Sequence, residues 1–331
     1  MAVDAESSGT VTVLVASRDR PARLAACVRA LAAADGPDLA AVVVVDQSRD
    51  HAADLPAALA DVPGGPGLAA KLRHVRSDTV GVSRGRNIGL GLCATEVVAV
   101  TDDDCVVAPA WVARVAAAFR ADSDLAALCG RTVPLGEVPP DVAPPSTHRN
   151  PRARLLSRRR DPSRHGSGNN LAFRRDAVLG VGGYDEALGP GTPVPAGEDA
   201  DLLFRLLRGG ARVRYDPGVT VAHEMWRTPE ELDRLTHAYA LGSGVYLARA
   251  ALAGRDPVAL AILLARLGGA GIRWGGNLLR GRPARRRTAS RALAGTWEGV
   301  QAVLAADPAY GIGRAWIAGA RAHARRGEGT R

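Results

Sequence analysis

The sequence predicts an α/β fold, a mostly parallel sheet with helices on both faces and a helical extension at its C-terminus. Three observations predict it. Short, solid runs of Val, Leu and Ala alternate with segments of helical period, the pattern of strands buried on both faces. Polar clusters stand where those runs end, at Ser17–Arg18, Asp46 and Asp102–Asp104. Ligands of such sheets bind beyond the carboxyl ends of the strands, so the clusters mark one candidate rim. After Thr228 the strands stop, and Ala- and Arg-rich helical segments take over.

Thr10–Ala16 reads as the first strand, followed by the polar loop Ser17–Arg20. Pro21 opens a helix, where a missing N–H costs nothing, and Leu24, Val28 and Leu31 give that helix an apolar stripe. Ala41–Val45 is a second strand, ending in Asp46. Ala52–Gly67, rich in Pro and Gly, is a loose helix and loop, and Leu72–Arg76 is a third strand. Ser83 is the expected cap of a helix running to about Cys93. Val97–Thr101 is the next strand. Pro109 starts a helix through Phe119, and Leu125–Val133 returns as a strand. Leu171–Phe173 follows Asn169 and Asn170, and Gly182–Gly183 marks a turn. Arg212–Tyr215 and Val219–Ala222 are two further short strands, the second ending at His223.

The chemistry is concentrated in Val97–Cys105, VVAVTDDDC. If strand alternation continues, Asp102 and Asp104 share one face and Asp103 takes the other. Two carboxylates ~4 Å apart at an effective dielectric of 20 repel by about 4 kcal/mol. Either the pair shares a proton, or a cation sits between them, and a hard divalent ion with oxygen ligands is the economical answer. A solvated turn is the competing reading of three aspartates taken alone.

A second acidic cluster, Gly197-Glu198-Asp199-Ala200-Asp201, leads into the helix Leu202–Leu207. Acids at a helix start are common because the dipole favours them. At 100° per residue, Asp199 falls at the centre of the leucine stripe, Glu198 at its edge and Asp201 nearly opposite. The wheel therefore expects a solvated Asp201 and an inward Asp199 whose pKa burial raises, suited to a general base. A strand-end histidine is more often structural, but His223 shares the rim with the aspartates. Leu135–His165, proline-rich and then arginine-rich, reads either as a flap that orders on a phosphate-bearing ligand or as a solvated basic loop.

Composition narrows the class. The 331 residues are 47% hydrophobic and 23% charged, so a packed core is expected. The formal charge of +9 belongs to the end of the chain: residues 265–331 carry 13 arginines against three acids. Cys27, Cys93, Cys105 and Cys129 form no metal-binding spacing and suggest a reducing compartment. No signal peptide and no apolar run of about 18 residues is visible. These readings place the protein in the cytoplasm, with peripheral contact at the inner membrane face as a role for the basic end. Val258–Leu267 reads as a core helix or as the buried face of an interfacial element, and Arg280–Arg287 favours an anionic lipid or charged acceptor. Nucleic acid is not expected, because few aromatics accompany the arginines.

With these motifs in their order, roughly Thr10–Glu224 resembles the family 2 glycosyltransferases of the GT-A fold, with its Rossmann-like mixed sheet. VLVASRDRP is similar to the first-strand motif that cradles the nucleotide, which implies Ser17 and Arg18. VVVVDQSRD resembles the second-strand motif, implying that Asp46 contacts the base. SRGRNIGL resembles the Arg-Asn-x-Gly segment that places Arg86 and Asn87 at the nucleotide. TDDDC matches the DxD motif. The resemblance implies that Asp102 and Asp103 meet the sugar nucleotide and that Asp104, with Asp102 and His223, holds Mn2+ or Mg2+. GNNLAFRRDAV…GGYDE…GEDADLLFR resembles the acceptor-side block, implying Asn169, Asn170 and Glu198 beside a catalytic base, Asp199. Residues 1–226 are then the catalytic domain and 227–331 an Arg-rich helical region.

The resemblance implies inverting transfer from a nucleotide-diphosphate sugar to a glycan, lipid-linked or small-molecule acceptor. Two other classes compete. A sugar-phosphate nucleotidyltransferase shares paired aspartates but needs a Gly-rich basic loop after the first strand, and Ser17–Pro21 has no glycine. A non-catalytic nucleotide-sugar-binding protein keeps the cleft and dispenses with the base.

Overall fold

In a computed structural model, residues 10–50, 54–138, 146–225, 227–310 and 312 are described. The first nine residues, the proline-rich 139–145, the expected domain boundary at 226 and the tail beyond 312 lie outside them. In chain order the elements are β1 (Val11–Ser17), α1 (Pro21–Ala33), β2 (Leu39–Asp46), α2 (Leu55–Leu59), α3 (Gly65–Lys71), β3 (Leu72–Arg76) and α4 (Val82–Leu92). Then come β4 (Val97–Asp102), β5 (Cys105–Val107), α5 (Trp111–Ala121), β6 (Leu125–Leu135), β7 (Arg154–Leu155), β8 (Leu171–Arg174) and α6 (Arg175–Gly180). The chain continues through α7 (Glu198–Arg208), β9 (Arg212–Glu224), α8 (Pro229–Ala248), α9 (Pro257–Leu279) and α10 (Pro283–Ala305).

The strands form one mixed sheet in the order β3-β2-β1-β4-β8-β6-β9-β5, with β7 also on β9. β3, β2, β1 and β4 run parallel, and β8 is antiparallel to both β4 and β6. The parallel half follows from its composition: Val11, Val13 and Val15 alternate with Leu14 on two covered faces, and all four are fully buried. Leu24, Val28 and Leu31 of α1 pack with these strands and with Trp111, Val115 and Phe119 of α5 in one core. Parallel pairing sets the tips level, with Ser17 opposite Asp46 and Ala16 opposite Asp102. The expected rim is therefore real.

Several expected boundaries shift. The cap of α4 is Gly81, at φ 122°, while Ser83 is buried one residue inside the helix. The helix after Pro109 begins at Trp111. The two short strands around residue 217 are one long β9, which skips register against β6 between Gly130 and Arg131 where Pro217-Gly218 bulges. In Leu135–His165 the described residues are tethered: Thr132 and His148 exchange backbone hydrogen bonds, β7 pairs β9, and the Tyr215 hydroxyl donates to the carbonyls of His148 and Asn150. Gly268–Gly269 and Gly275–Gly276 do not interrupt the C-terminal helices. They lie inside α9, and its 23 residues are long and apolar enough to cross a membrane by length and composition.

The chain divides into two compact units. One comprises Met1–Leu156, Ser163–Tyr184 and Ala211–Met225, and holds the sheet. The other comprises Ser157–Pro162, Asp185–Gly210 and Trp226–Arg331, so α7 clusters with the C-terminal helices rather than with the sheet. Its core is built from Phe204, Leu241, Val245, Tyr246, Ile262 and Val303.

Candidate functional site

Only Asp103 and Asp104 separate β4, in the middle of the sheet, from β5, on β9 at its edge. The strand alternation therefore stops at Asp102, and the expected sharing of a face by Asp102 and Asp104 gives way to turn geometry. Asp103 accepts a 2.6 Å hydrogen bond from the Ser17 hydroxyl. The Arg20 guanidinium bridges both turn acids, 3.1 Å from Asp103 Oδ1 and 3.2 Å from Asp104 Oδ2. Burial pushes the Asp103 carboxyl up to about 7, against the opposing pull of Arg20 and Ser17. Asp102 instead accepts a 2.9 Å hydrogen bond from Arg86.

Antiparallel pairing places Cys105 of β5 opposite His223 of β9, which brings His223 Nε2 to 3.4 Å from Asp104 Oδ1. Both side chains are buried. One ligand atom from each of Asp104, Cys105 and His223 lies within 4.8 Å of the others. His223 Nδ1 is buried and accepts or donates no hydrogen bond among the described residues. A carboxylate beside an imidazole with one unpartnered ring nitrogen suits a divalent ion such as Mn2+ better than a thiol does. Burial drives the Cys105 thiol well above its ordinary range, so it stays protonated and is the weakest member of the trio. Asp104 and His223 thus come together as expected; Asp102 lies outside the group.

Arg86 is 2% exposed, and its guanidinium stacks 5.2 Å from the centre of the Tyr184 ring. It reaches the strand tips because α4 lies close on β1: a Cβ on Gly89 would come within 2.1 Å of Leu14 Cδ1. Asn87 is spent differently from the expected nucleotide contact. Its Oδ1 accepts from the Tyr184 N–H and its Nδ2 donates to the Tyr184 carbonyl, both at 2.9 Å. It holds the turn at Gly183, whose φ of 72° and crowding against Asn87 leave room for glycine alone.

Asp46 is also turned inward. It is fully buried, accepts from the Ser48 N–H and lies 3.2 Å from His74 Nε2. Burial alone would raise its pKa, but hydrogen bonds from Ser48 and His74 hold it below the usual carboxylate range. The Ser48 hydroxyl accepts from the backbone of Asp19 and so ties the first loop to the second strand. Arg18, half-buried, lies 3.4 Å from Asp19. Asn169 and Asn170 are both buried and hydrogen-bonded within the fold. Asn170 accepts from Trp111 Nε1 and donates to the carbonyls of Arg131 and Val219. Asn169 accepts from Thr132 and Ser167 and donates to Ser146. Asn170 thus ties β6 to β9, and Asn169 ties Thr132 of β6 to the segments at Ser146 and Ser167.

Sequence reasoning missed Arg20. It sits in the polar loop before α1, and nothing in its spacing shows that it reaches residues more than 80 positions away. Beside it is an open depression of about 600 Å³ lined by Arg20, Arg23, Cys27, Asp103, Asp104 and Glu224 among others. Its walls carry both signs of charge, suited to an anionic ligand accompanied by a cation.

In the second unit, α7 reverses the helical-wheel expectation. Asp201 is 4% exposed and ion-paired with Arg205 at 2.7 Å, and burial raises its pKa against the pull of Arg205. Asp199 is half-buried and Glu198 buried. The wheel counted leucines only, whereas Ala200 and Phe204 bury a second face of α7. A first-turn side chain also tilts toward the N-terminus, past the end of the leucine stripe.

Residues 8–239 match the profile of the family described as "Glycosyltransferase like family 2". A pre-mycofactocin glycosyltransferase of Mycobacterium tuberculosis is 32% identical over 167 residues, 46% of this chain and 32% of the relative. A glucosyl-dolichyl phosphate glucuronosyltransferase of Haloferax volcanii is 28% identical over 167 residues, 49% of this chain and 53% of the relative. The chain thus spans a third to about half the length of these curated relatives. The mannosyltransferase PcManGT from Pyrobaculum calidifontis, in complex with GDP-Man and Mn2+, superposes with a TM-score of 0.53 at 19% identity, over 96% of this chain and 86% of that one. GalNAc-T7 with UDP, GalNAc and Mn2+ superposes at 0.50 with 14% identity, over 92% and 58%. At these identities the likeness is one of fold: a GT-A sheet followed by helices.

Proposed function

Because this chain belongs to glycosyltransferase-like family 2, we propose that it moves a sugar from a nucleotide-diphosphate donor to an acceptor hydroxyl, with inversion. The observation that carries the reading is the contact of Asp104 with His223 at the strand tips, beside an open, charged depression. The complexes of both structural neighbours, which hold nucleotide or nucleotide sugar with Mn2+, support it.

Asp104 and His223 would hold a divalent ion, Mn2+ or Mg2+, which when bound supplies positive charge for the diphosphate leaving group. Arg86 orients Asp102 at the donor, and Ser17 and Arg20 fix the turn that carries Asp103 and Asp104. Asp199, placed by its likeness to the family's Glu-Asp pair, takes the proton of the acceptor hydroxyl. The acceptor oxygen forms the new bond to the anomeric carbon as the old carbon–oxygen bond breaks, its electron pair leaving with the diphosphate. No second carboxylate is assigned as a nucleophile, so one displacement inverts the anomeric centre, as in inverting hydrolases with the acceptor in water's place. Four buried thiols suit a cytoplasmic reaction. The relatives' names point to a small-molecule or lipid-linked acceptor.

The test is a panel of nucleotide sugars with and without Mn2+, followed for slow hydrolysis and for the anomer released. Mn2+-dependent release of nucleoside diphosphate supports the reading. Pyrophosphate-dependent release of nucleoside triphosphate would assign a nucleotidyltransferase, and tight donor binding without turnover a binding protein.

A further inference from the structure

Among the described residues, one side of helix α9 packs into the helical core and the opposite side is apolar and largely exposed. At 100° per residue, the buried Ala259, Ile262, Leu263 and Ala270 fall together on the face packed into the helical core. The other half of the circumference carries Leu260, Leu264, Ile272, Trp274, Leu278 and Leu279, between 41% and 88% exposed. From Leu260 to Leu279, every other position in that half is Ala, Leu or Gly, with no charge. An apolar face of this length, about 30 Å, is more than a soluble surface ordinarily leaves in water.

The end of that face is cationic. Arg282, Arg285 and Arg287 follow Leu278 and Leu279 in the chain and are exposed where α9 turns into α10. Among the described residues none of the three has a carboxylate within ion-pair distance. The first turn of α10 contains no acid, and arginines there oppose the helix dipole. Their charge is unhelpful to the fold and suited to an external anion.

We propose that α9 docks in the plane of an anionic lipid leaflet, its apolar half in the acyl boundary and Arg282, Arg285 and Arg287 at the headgroup phosphates. Arg266 of α9 is tied to Asp161 and Ser243 on the inward side, which fixes the face of the helix that packs inward. The combination of a core-facing side, a lipid-facing side and a cationic end is that of an interfacial helix. The inference stands apart from the proposed catalysis, because vesicle binding needs no sugar donor.

The test is flotation of the full chain with phosphatidylcholine vesicles, with and without phosphatidylglycerol, at low and high salt. We expect partition into the anionic vesicles only, weakened by salt, with a blue shift of Trp emission that Trp274→Phe abolishes. Ile272→Glu/Leu279→Glu and Arg282→Gln/Arg285→Gln/Arg287→Gln should each lower partition at least ten-fold. Ile272 and Leu279 are 78% and 88% exposed, so the thermal midpoint should hold, and Ile272→Ser serves as the milder variant. Absence of binding to anionic vesicles, or equal binding by the variants, overturns the proposal. So does a lipid-indifferent dimer that Ile272→Glu dissociates, which would assign the face to a second copy.

Discussion

Asp104 and His223 stand 3.4 Å apart because Cys105 and His223 are register partners across β5 and β9. The contact joins the turn after β4 to the far end of the last strand, 119 positions later in the chain. We expect Asp104→Asn and His223→Ala each to weaken Mn2+ binding, measured calorimetrically, at least about ten-fold, the range that even outer-shell changes reach. Asp102→Asn, whose carboxylate is engaged by Arg86, should weaken it less. Undiminished Mn2+ affinity in Asp104→Asn would remove the assignment.

Asn87→Ala is expected to act on stability. The side chain satisfies both backbone groups of Tyr184, and leaving buried groups unpaired costs about 1–3 kcal/mol each. Denaturant unfolding should show a lower midpoint with an unchanged slope. A variant with normal stability and lost nucleotide affinity would return Asn87 to the ligand.

The rim was legible because parallel pairing depends on solid apolar runs, and those runs are visible in the sequence. Asp102–Asp104, Asp46 and Ser17 were placed together on that ground alone. What each polar side chain does at the rim was not legible. Asn87, Asp46, Asn169 and Asn170 occupy positions that look like ligand contacts, and each also holds backbone or side-chain groups of the fold. Arg20 shows the converse, since a long-range ion pair leaves no local pattern. The Pro217-Gly218 bulge makes one strand look like two short ones in the sequence, because pairing with β6 carries β9 through residues that ordinarily end a strand.

His148 gives the fold an acid limit. Burial, with help from the nearby His165 and Arg154, lowers its pKa from 6.5 to about 4. The unfolded chain then binds a proton that the native chain refuses, so stability is complete above about pH 6.5 and falls as the pH drops towards 4. The strap that His148 ties to Thr132 should loosen over that window. We expect the thermal midpoint of the wild type to fall between pH 6.5 and 4, and His148→Gln to flatten that limb. An unchanged slope in the variant would assign the acid loss to other groups.

Asp199 and Asp201, two residues apart on α7, should separate into a chemical role and a structural one. Asp201 is buried against Arg205, so Asp201→Asn breaks a buried ion pair and is expected to cost about 3 kcal/mol or more. Asp199 is half-buried in the first turn, so Asp199→Asn should cost less unfolding free energy than Asp201→Asn. Its effect should fall on turnover, with kcat lower by about 10²–10⁴ and donor affinity retained, the range for loss of a positioned base. The two variants therefore lose different things, one its fold stability and the other its transfer rate. Near-normal turnover in Asp199→Asn would move the base elsewhere, and a stability loss equal to that of Asp201→Asn would show that Asp199 belongs to the same buried network.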